Sequence, residues 1–464
     1  MDKKENTRVL VFVYGGYIMR YLYLLVVIPF YGRVLGVTEY GRVLAAMSLM
    51  NVIWMLVSYG FTFVGMRDVS RAHEKHEYNG IFSLHLSARI LLGAAGAAVG
   101  LTATFFSPVL SQRPLIGVLA VLLGIVNGWN LGWLFQGRQQ FRTPIALEVV
   151  GFALSLVLVL SLVRGPSDST WVLASLLAAS VCATSIAYFL TLKDIGWPRL
   201  NWRGVPGLMR DSTMLFLYST GSVVLTSAST YLLTLLSTPT QVGYYGAAER
   251  FATIGLSLMG PAAQVFIPTI SRQIAQNDHH GARSTTRRGA ALLLGYGFLA
   301  LGGALILSPF VLPLILGAAF TPSAHVLQRF AWMFPFSAFN QFVGFYVFLP
   351  RQKDRLMAVA GLMSAAANLG SALLLAPHFG ALGMASARVI GEATLSMTLL
   401  VFAWRTGLLS AIFGRAAPGD DVDQRQQQAS TRAAAAVDVA PVSPVPAAAP
   451  APANARPQSY RSAR

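Results

Sequence analysis

The chain has 464 residues, 55% of them hydrophobic and only 11% charged, with a formal net charge of +17 and a mean hydropathy of +0.57. Soluble domains carry about 25% charged residues, so this balance excludes an ordinary water-soluble enzyme and places most of the chain in a bilayer. The cations lie in short loops between apolar runs and not on one soluble face, which speaks for membrane topology and against nucleic-acid binding.

Taken in chain order, twelve runs are long enough, at about 20 residues each, to cross a bilayer as helices. They cover 9–31, 40–66, 81–106, 114–135, 144–163, 170–192, 211–236, 241–268, 289–315, 322–349, 356–376 and 381–405. The first lacks a small-residue cleavage site and reads as a membrane anchor. The lone Cys182 lies inside the sixth run, so no intramolecular disulfide can form.

Connections after the even-numbered runs hold sixteen Lys and Arg, among them Arg67, Arg71, Lys75, Arg283, Arg287 and Arg288. Those after the odd-numbered runs hold three, Arg33, Arg113 and Arg164, or four with Arg42 at the lip of the second run. The positive-inside rule then predicts a multi-pass membrane protein with both termini cytoplasmic. From about Ala416 the chain turns to Ala, Pro and Gln, which cannot bury enough surface to order itself. Residues 416–464 are expected to be a disordered cytoplasmic tail, with a Pro-rich docking site as the alternative.

The sequence also repeats itself. Phe135-x-x-Arg138-Gln139-x-x-Arg142 returns as Phe348-x-x-Arg351-Gln352-x-x-Arg355, and Tyr40-Gly41 returns as Tyr245-Gly246. Two six-helix lobes, 1–205 and 206–415, related by a parallel repeat about the membrane normal, fit this pattern. Such halves enclose a central cleft and rock against each other. The expected fold is therefore an all-α integral membrane protein of twelve transmembrane helices in two lobes.

Ionisable residues at bilayer depth mark functional sites by default, because each costs about 2.5–3.5 kcal/mol to insert. Arg20 lies about 16 Å from either end of the first run and faces either an aqueous cavity or a buried ion pair. Arg250 is similarly deep; it either faces the cavity or turns to the lip while its neighbour Glu249 pairs with another helix. Arg42 is a cavity cation or a headgroup anchor, Glu148 is a gating or helix-start carboxylate, and Glu249 is a further candidate for coupling or gating. Arg89 and Arg329 lie close enough to an interface to snorkel and read as structural, and Arg388 and Glu392, spaced i and i+4, pair along one face. Tyr218 and Ser222, with Asn51 and Ser58, form polar stripes that either line the cavity or bond neighbouring helices. Trp129, Asn130 and Trp133 either stack on sugar rings or belong to an interfacial belt. Gly93, Gly96, Gly100, Gly302 and Gly303 are expected to admit close helix contact. No catalytic triad, paired-carboxylate site, metal-ligand spacing or ATP loop is present, so neither enzyme activity nor a cofactor is expected.

Pro29-x-x-Gly32-Arg33-x-Leu35-Gly36-x-x-x-Tyr40-Gly41, then Ser58-Tyr59-Gly60-Phe61 and Arg67-x-x-Ser70-Arg71, resembles the opening of the polysaccharide exporters of the multidrug/oligosaccharidyl-lipid/polysaccharide superfamily, in particular the Wzx-type flippases. The resemblance implies a substrate made of oligosaccharide on a polyprenyl diphosphate, exported for surface polysaccharide synthesis alongside a polymerase and chain-length proteins. It also implies cavity arginines on the first, second and eighth helices, where Arg20, Arg42 and Arg250 fall. Competing readings are a cation-coupled multidrug antiporter, which would want a deep carboxylate on the first helix where this chain has Arg20, and a non-transporting scaffold of a polysaccharide assembly complex.

Overall fold

The computed structural model describes residues 3–223 and 229–408, with side chains from 26 onward apart from 214, 215, 217–223, 261, 264, 265 and 354. Among them every regular element is a helix. An apolar segment in lipid must satisfy its own backbone, and a helix does so along its length. The first part of the chain forms α1 (Lys3–Ser58), α2 (Phe61–Arg71), α3 (Lys75–Phe106), α4 (Pro114–Gly128), α5 (Gly132–Gly137), α6 (Arg142–Leu162) and α7 (Ser169–Ile195). The second forms α8 (Val205–Val223), α9 (Ser229–Leu236), α10 (Pro239–Ser257), α11 (Gly260–Ala275), α12 (His279–Leu316), α13 (Thr321–Ala331), α14 (Met333–Gln341) and α15 (Asp354–Arg405).

Seven helical stretches among the described residues are long and apolar enough to cross a membrane, against the twelve runs expected. Run 211–236 crosses residues outside those described; the rest of the difference has two physical sources. α1 and α15 each run two segments together through a glycine with non-helical angles, Gly36 and Gly380. Elsewhere breaks cut one run into short helices, as at Leu258-Met259 between α10 and α11. Several helices also outrun their apolar stretch: α3 starts at Lys75 rather than 81, and α12 at His279 rather than 289. Hydropathy marks where lipid ends, not where the helix does. The expected tail from 416 lies outside the described residues.

The Pro29 to Gly41 motif becomes a reversal fastened to the second half of the chain. Gly36, at φ 69° and ψ 175°, occupies a region open essentially to glycine alone. At Gly41 a Cβ would come within 1.9 Å of the Pro239 carbonyl oxygen, so the backbones of α1 and α10 touch there. Arg33 donates from Nε to the Ile315 carbonyl at 3.1 Å and from Nη2 to the Leu314 carbonyl at 2.6 Å, closing the last turn of α12 with a cation, which suits the negative end of a helix. Tyr40 is buried edge-on to Phe320, ring centres 5.7 Å apart.

Neighbouring connections lock into the same end. Glu39 binds Arg42, Arg113 at 3.5 Å and the Ser169 hydroxyl at 2.6 Å. Ser107 donates to Thr234 Oγ1 at 3.1 Å, and Gln241 Oε1 accepts from the Ala381 N–H at 2.9 Å beside the Gly380 break. The six cation-poor connections thus meet at one end of the bundle.

At the opposite ends of these helices the duplicated motif forms one turn twice. Gln139 and Gln352 are both left-handed, at φ 60° and 56°. Gln140 N–H bonds to the Phe135 carbonyl at 2.8 Å and Lys353 N–H to the Phe348 carbonyl at 3.1 Å, the six-to-one closure of a Schellman cap. Between the halves, α1 and α10 cross in parallel: Thr38 Oγ1 lies 3.0 Å from Thr240 Oγ1, 202 positions away.

Gly96 and Gly100 of α3 admit Ile53 of α1 as expected, with a Cβ meeting it at 3.3 and 3.0 Å. Gly302 and Gly303 differ: nothing lies within 4 Å of where their Cβ atoms would be. Their faces are open, and no close helix contact explains them.

Candidate functional site

A cavity of about 630 Å³ lies among α1 to α7. Along α1 and α2 it runs from Met47 to Thr62, about 22 Å at the helical rise. Its wall is mixed. Asn51, Asn127, Asn130 and Gln136 present amides, Trp54, Trp133, Phe135 and Phe152 present rings, and Arg89 and Glu148 carry the charges.

Arg89 reaches this position because the run after Arg113 is not one helix. α4 stops at Gly128 and α5 starts at Gly132, and such a break leaves carbonyls without a helical partner. Arg89 Nη1 donates to one of them, the Asn130 carbonyl, at 2.7 Å. Tyr188 donates to the Trp129 carbonyl at 3.3 Å, and Trp129 Nε1 donates to the Arg89 carbonyl at 3.1 Å. The guanidinium also lies 5.3 Å from the centre of the Trp133 ring, within cation–π range. His85 packs on that ring at 4.5 Å.

Arg89 therefore does not snorkel; it bonds to the α4–α5 break, in keeping with the structural role expected of it. It is 2% exposed and points inward, drawn by the broken helix and by Trp133. Its place in the apolar run left it near an interface; only the α4–α5 break, which no hydropathy pattern records, shows where the guanidinium goes. Among the described residues it has no acidic partner at salt-bridge distance, since every such pair involves other cations. Two buried N–H groups here, Arg89 Nε and Trp133 Nε1, have no hydrogen-bond partner. Arg89 thus brings a positive charge to the wall of the cavity.

Of the residues singled out from sequence, Asn51, Ser58, Asn130, Trp133 and Glu148 line the cavity. Arg42 does not: it pairs with Glu39 and donates to Gln112 Oε1 at 2.5 Å at the laced end. Arg250 Nη2 lies 3.9 Å from the sulfur of Met47, itself a lining residue, but Arg250 is not among the residues that line this cavity. Glu249 accepts from the Thr230 hydroxyl at 2.8 Å. Arg388 and Glu392 pair at 3.8 Å along α15, and Asn340 donates to Glu392 Oε2 at 2.8 Å. Arg329 is exposed. The side chains of Arg20, Tyr218 and Ser222 lie outside the described residues.

Comparisons with known proteins give three kinds of likeness. Residues 7–273 match the family described as polysaccharide biosynthesis protein. A Shigella dysenteriae protein named "Putative O-antigen transporter" is 21% identical over 86% of this chain and 99% of its own length. A protein of the same name from Escherichia coli K12 is 24% identical over 60% of this chain and 67% of its own. Among solved structures, the lipid II flippase MurJ in an inward closed conformation superposes with a TM-score of 0.65 at 14% identity, covering 87% of this chain and 90% of that one. An inward-facing multidrug resistance transporter of the MATE family and MOP superfamily gives 0.61 at 16% identity, covering 85% and 99%. At these identities the structures establish a shared fold.

Proposed function

The chain belongs to the polysaccharide biosynthesis protein family, and from that premise we propose that it is a flippase carrying polyprenyl-diphosphate-linked oligosaccharide units from the cytoplasmic to the periplasmic leaflet of the inner membrane. It is a multi-pass membrane transporter, not an enzyme. Its relatives' naming for O-antigen transport and its fold, shared with a lipid II flippase, support a lipid-linked glycan as cargo.

The observation that carries the mechanism is the parallel crossing of α1 and α10. Residues 202 and 203 apart meet along it, Thr38 with Thr240 and Met47 with Arg250, which supports two equivalent halves about a shared axis and hence twelve helices in two lobes. Halves so arranged expose a site between them to one side at a time. The laced end holds the cation-poor connections, so by the positive-inside rule it is periplasmic and closed. In this mechanism Arg20 and Arg250 are the ligands of the diphosphate, whose oxygens suit the guanidinium fork. Arg42 joins them when its bond to Glu39 opens with that end. The inside-negative potential assists outward movement of an anion by about 2.3 kcal/mol per charge per 100 mV.

The deciding experiment measures lipid-linked repeat units on each leaflet, together with protein abundance, in cells carrying Arg20→Ala, Arg20→Lys or Arg250→Ala. Arg20→Ala should trap the units on the cytoplasmic leaflet at normal protein level, Arg20→Lys should retain part of the export, and Arg250→Ala should impair it less than Arg20→Ala. Normal export by Arg20→Ala, or failure only through loss of protein, would return Arg20 to a structural ion pair.

A further inference from the structure

We propose that the connector between the two halves, residues 196–204, is a docking surface for the headgroups of anionic phospholipids. Arg199 and Arg203 are its cations, and Trp197, Leu200 and Trp202 seat it at the membrane–water boundary. The partner is the surrounding bilayer and not the cargo, so the surface serves whatever the chain carries.

Between Gly196 and Asn201 the connector has no helix or strand of its own, yet its backbone is fixed. Gly196, at φ 85°, ends α7, and from there the chain follows α3 along a ladder of three side chains. Asn79 Nδ2 donates to the carbonyls of Ile195 at 2.9 Å and Trp197 at 3.1 Å. Ser83 Oγ accepts from the Arg199 N–H at 3.0 Å, and Ser87 Oγ accepts from the Asn201 N–H at 2.8 Å. The spacing explains the fit: four residues of helix rise about 6 Å and two residues of extended chain about 6.6 Å, so every second connector residue meets the next rung. Gly204 then lies so close to α3 that a Cβ would come within 2.7 Å of Leu84, and Val205 is buried in a cluster with Phe61 and Ala88. The connector is a strap held on the first half, not a loose tether.

Its side chains are left outside. Trp197 is 82% exposed, Trp202 49% and Leu200 48%. Arg199 and Arg203 are exposed, with no acid at salt-bridge distance among the described residues. Asp194, the acid that precedes them, is taken by Arg138 at 2.6 Å and Lys75 at 3.4 Å. Exposed tryptophan beside arginine also suits a protein interface, and depth decides between the two. The apolar run of α3 begins at 81, so the rungs at Ser83 and Ser87 lie about 3 and 9 Å beyond its start at the helical rise. The strap therefore crosses the polar layer of the leaflet, about 5–7 Å thick, where indole rings and arginine stems both settle and a soluble partner cannot follow. What that layer offers two unpaired guanidinium groups is phosphate, which their planar fork fits, and a net negative lipid adds attraction for each basic residue.

The test uses the purified full-length protein in nanodiscs of phosphatidylcholine mixed with phosphatidylglycerol, with native mass spectrometry counting the lipids that stay bound on release. Wild type should retain phosphatidylglycerol in preference to phosphatidylcholine. The double variant Arg199→Gln/Arg203→Gln should lower that preference about fivefold for each arginine, the effect of a basic residue near an anionic leaflet. Lys353→Gln/Arg355→Gln, which removes two exposed cations from another cation-rich connection, should leave it largely unchanged. Depth is read from tryptophan emission: phosphatidylglycerol brominated high on its acyl chains should quench wild type more than Trp197→Phe/Trp202→Phe. Every one of these substitutions falls on an exposed side chain, so the ladder and the fold stay in place. An equal loss in Lys353→Gln/Arg355→Gln would reduce the effect to net charge and overturn the proposal. A preference that Arg199→Gln/Arg203→Gln leaves unchanged would overturn it too. Quenching that Trp197→Phe/Trp202→Phe leaves unchanged would do the same, and would turn the strap to a protein partner instead.

Discussion

Arg33 Nη2 donates to the carbonyl of Leu314 at 2.6 Å, joining two residues 281 positions apart. The contact ties the end of the first membrane segment to the last turn of α12, and it lies at the laced end of the bundle.

Arg33→Gln should therefore loosen that end. The side chain is exposed, so the loss is put at about 1 kcal/mol, below the range for hydrogen bonds to buried charged groups. In the detergent-solubilised protein the unfolding midpoint should fall by about 2 °C. An unchanged midpoint would mean that solvent replaces the cap without loss.

Gly41 and Gly303 predict opposite outcomes for one chemical change. An added methyl at Gly41 meets the Pro239 carbonyl oxygen, whereas at Gly303 it meets nothing within 4 Å. Gly41→Ala should push α1 off α10 at a cost of about 1–3 kcal/mol and lower the amount of folded protein in membranes several-fold. Gly303→Ala should leave it unchanged or slightly raised, since alanine favours helix over glycine. Equal protein levels for the two would contradict the close crossing.

Topology is open to direct measurement. Reporters fused after Lys75, Arg203 and Arg288 should all read cytoplasmic, and one after Thr238 should read periplasmic. The reverse pattern at either set would break the two-lobe arrangement and turn the laced end to the cytoplasm.

Deleting 420–464 should leave export largely intact, because an Ala/Pro-rich segment contributes no core. Loss of export at normal protein level would instead identify the segment as a docking site.

The sequence by itself determined the class of this protein: apolar runs of bilayer length, cations gathered on alternate connections, and a motif that belongs to one family. It also carried the doubled turn, because Phe135 and Phe348 each precede a left-handed glutamine by four residues and the closure is local. The pairing of Arg388 with Glu392 was readable for the same reason, as four residues on one helix face are neighbours whatever surrounds them.

What only the tertiary structure decided depends on contacts between distant segments. Arg42 and Arg89 both read as cations near an interface. In the fold Arg42 is neutralised by Glu39 and Arg89 is turned into a cavity by the Asn130 carbonyl. That carbonyl is available because α4 ends early, and a helix break inside a run still apolar enough for the membrane leaves no mark in hydropathy. Gly100 and Gly303 look alike in sequence, yet one touches Ile53 and the other nothing. Composition reports what a residue can tolerate, and packing alone assigns it a neighbour.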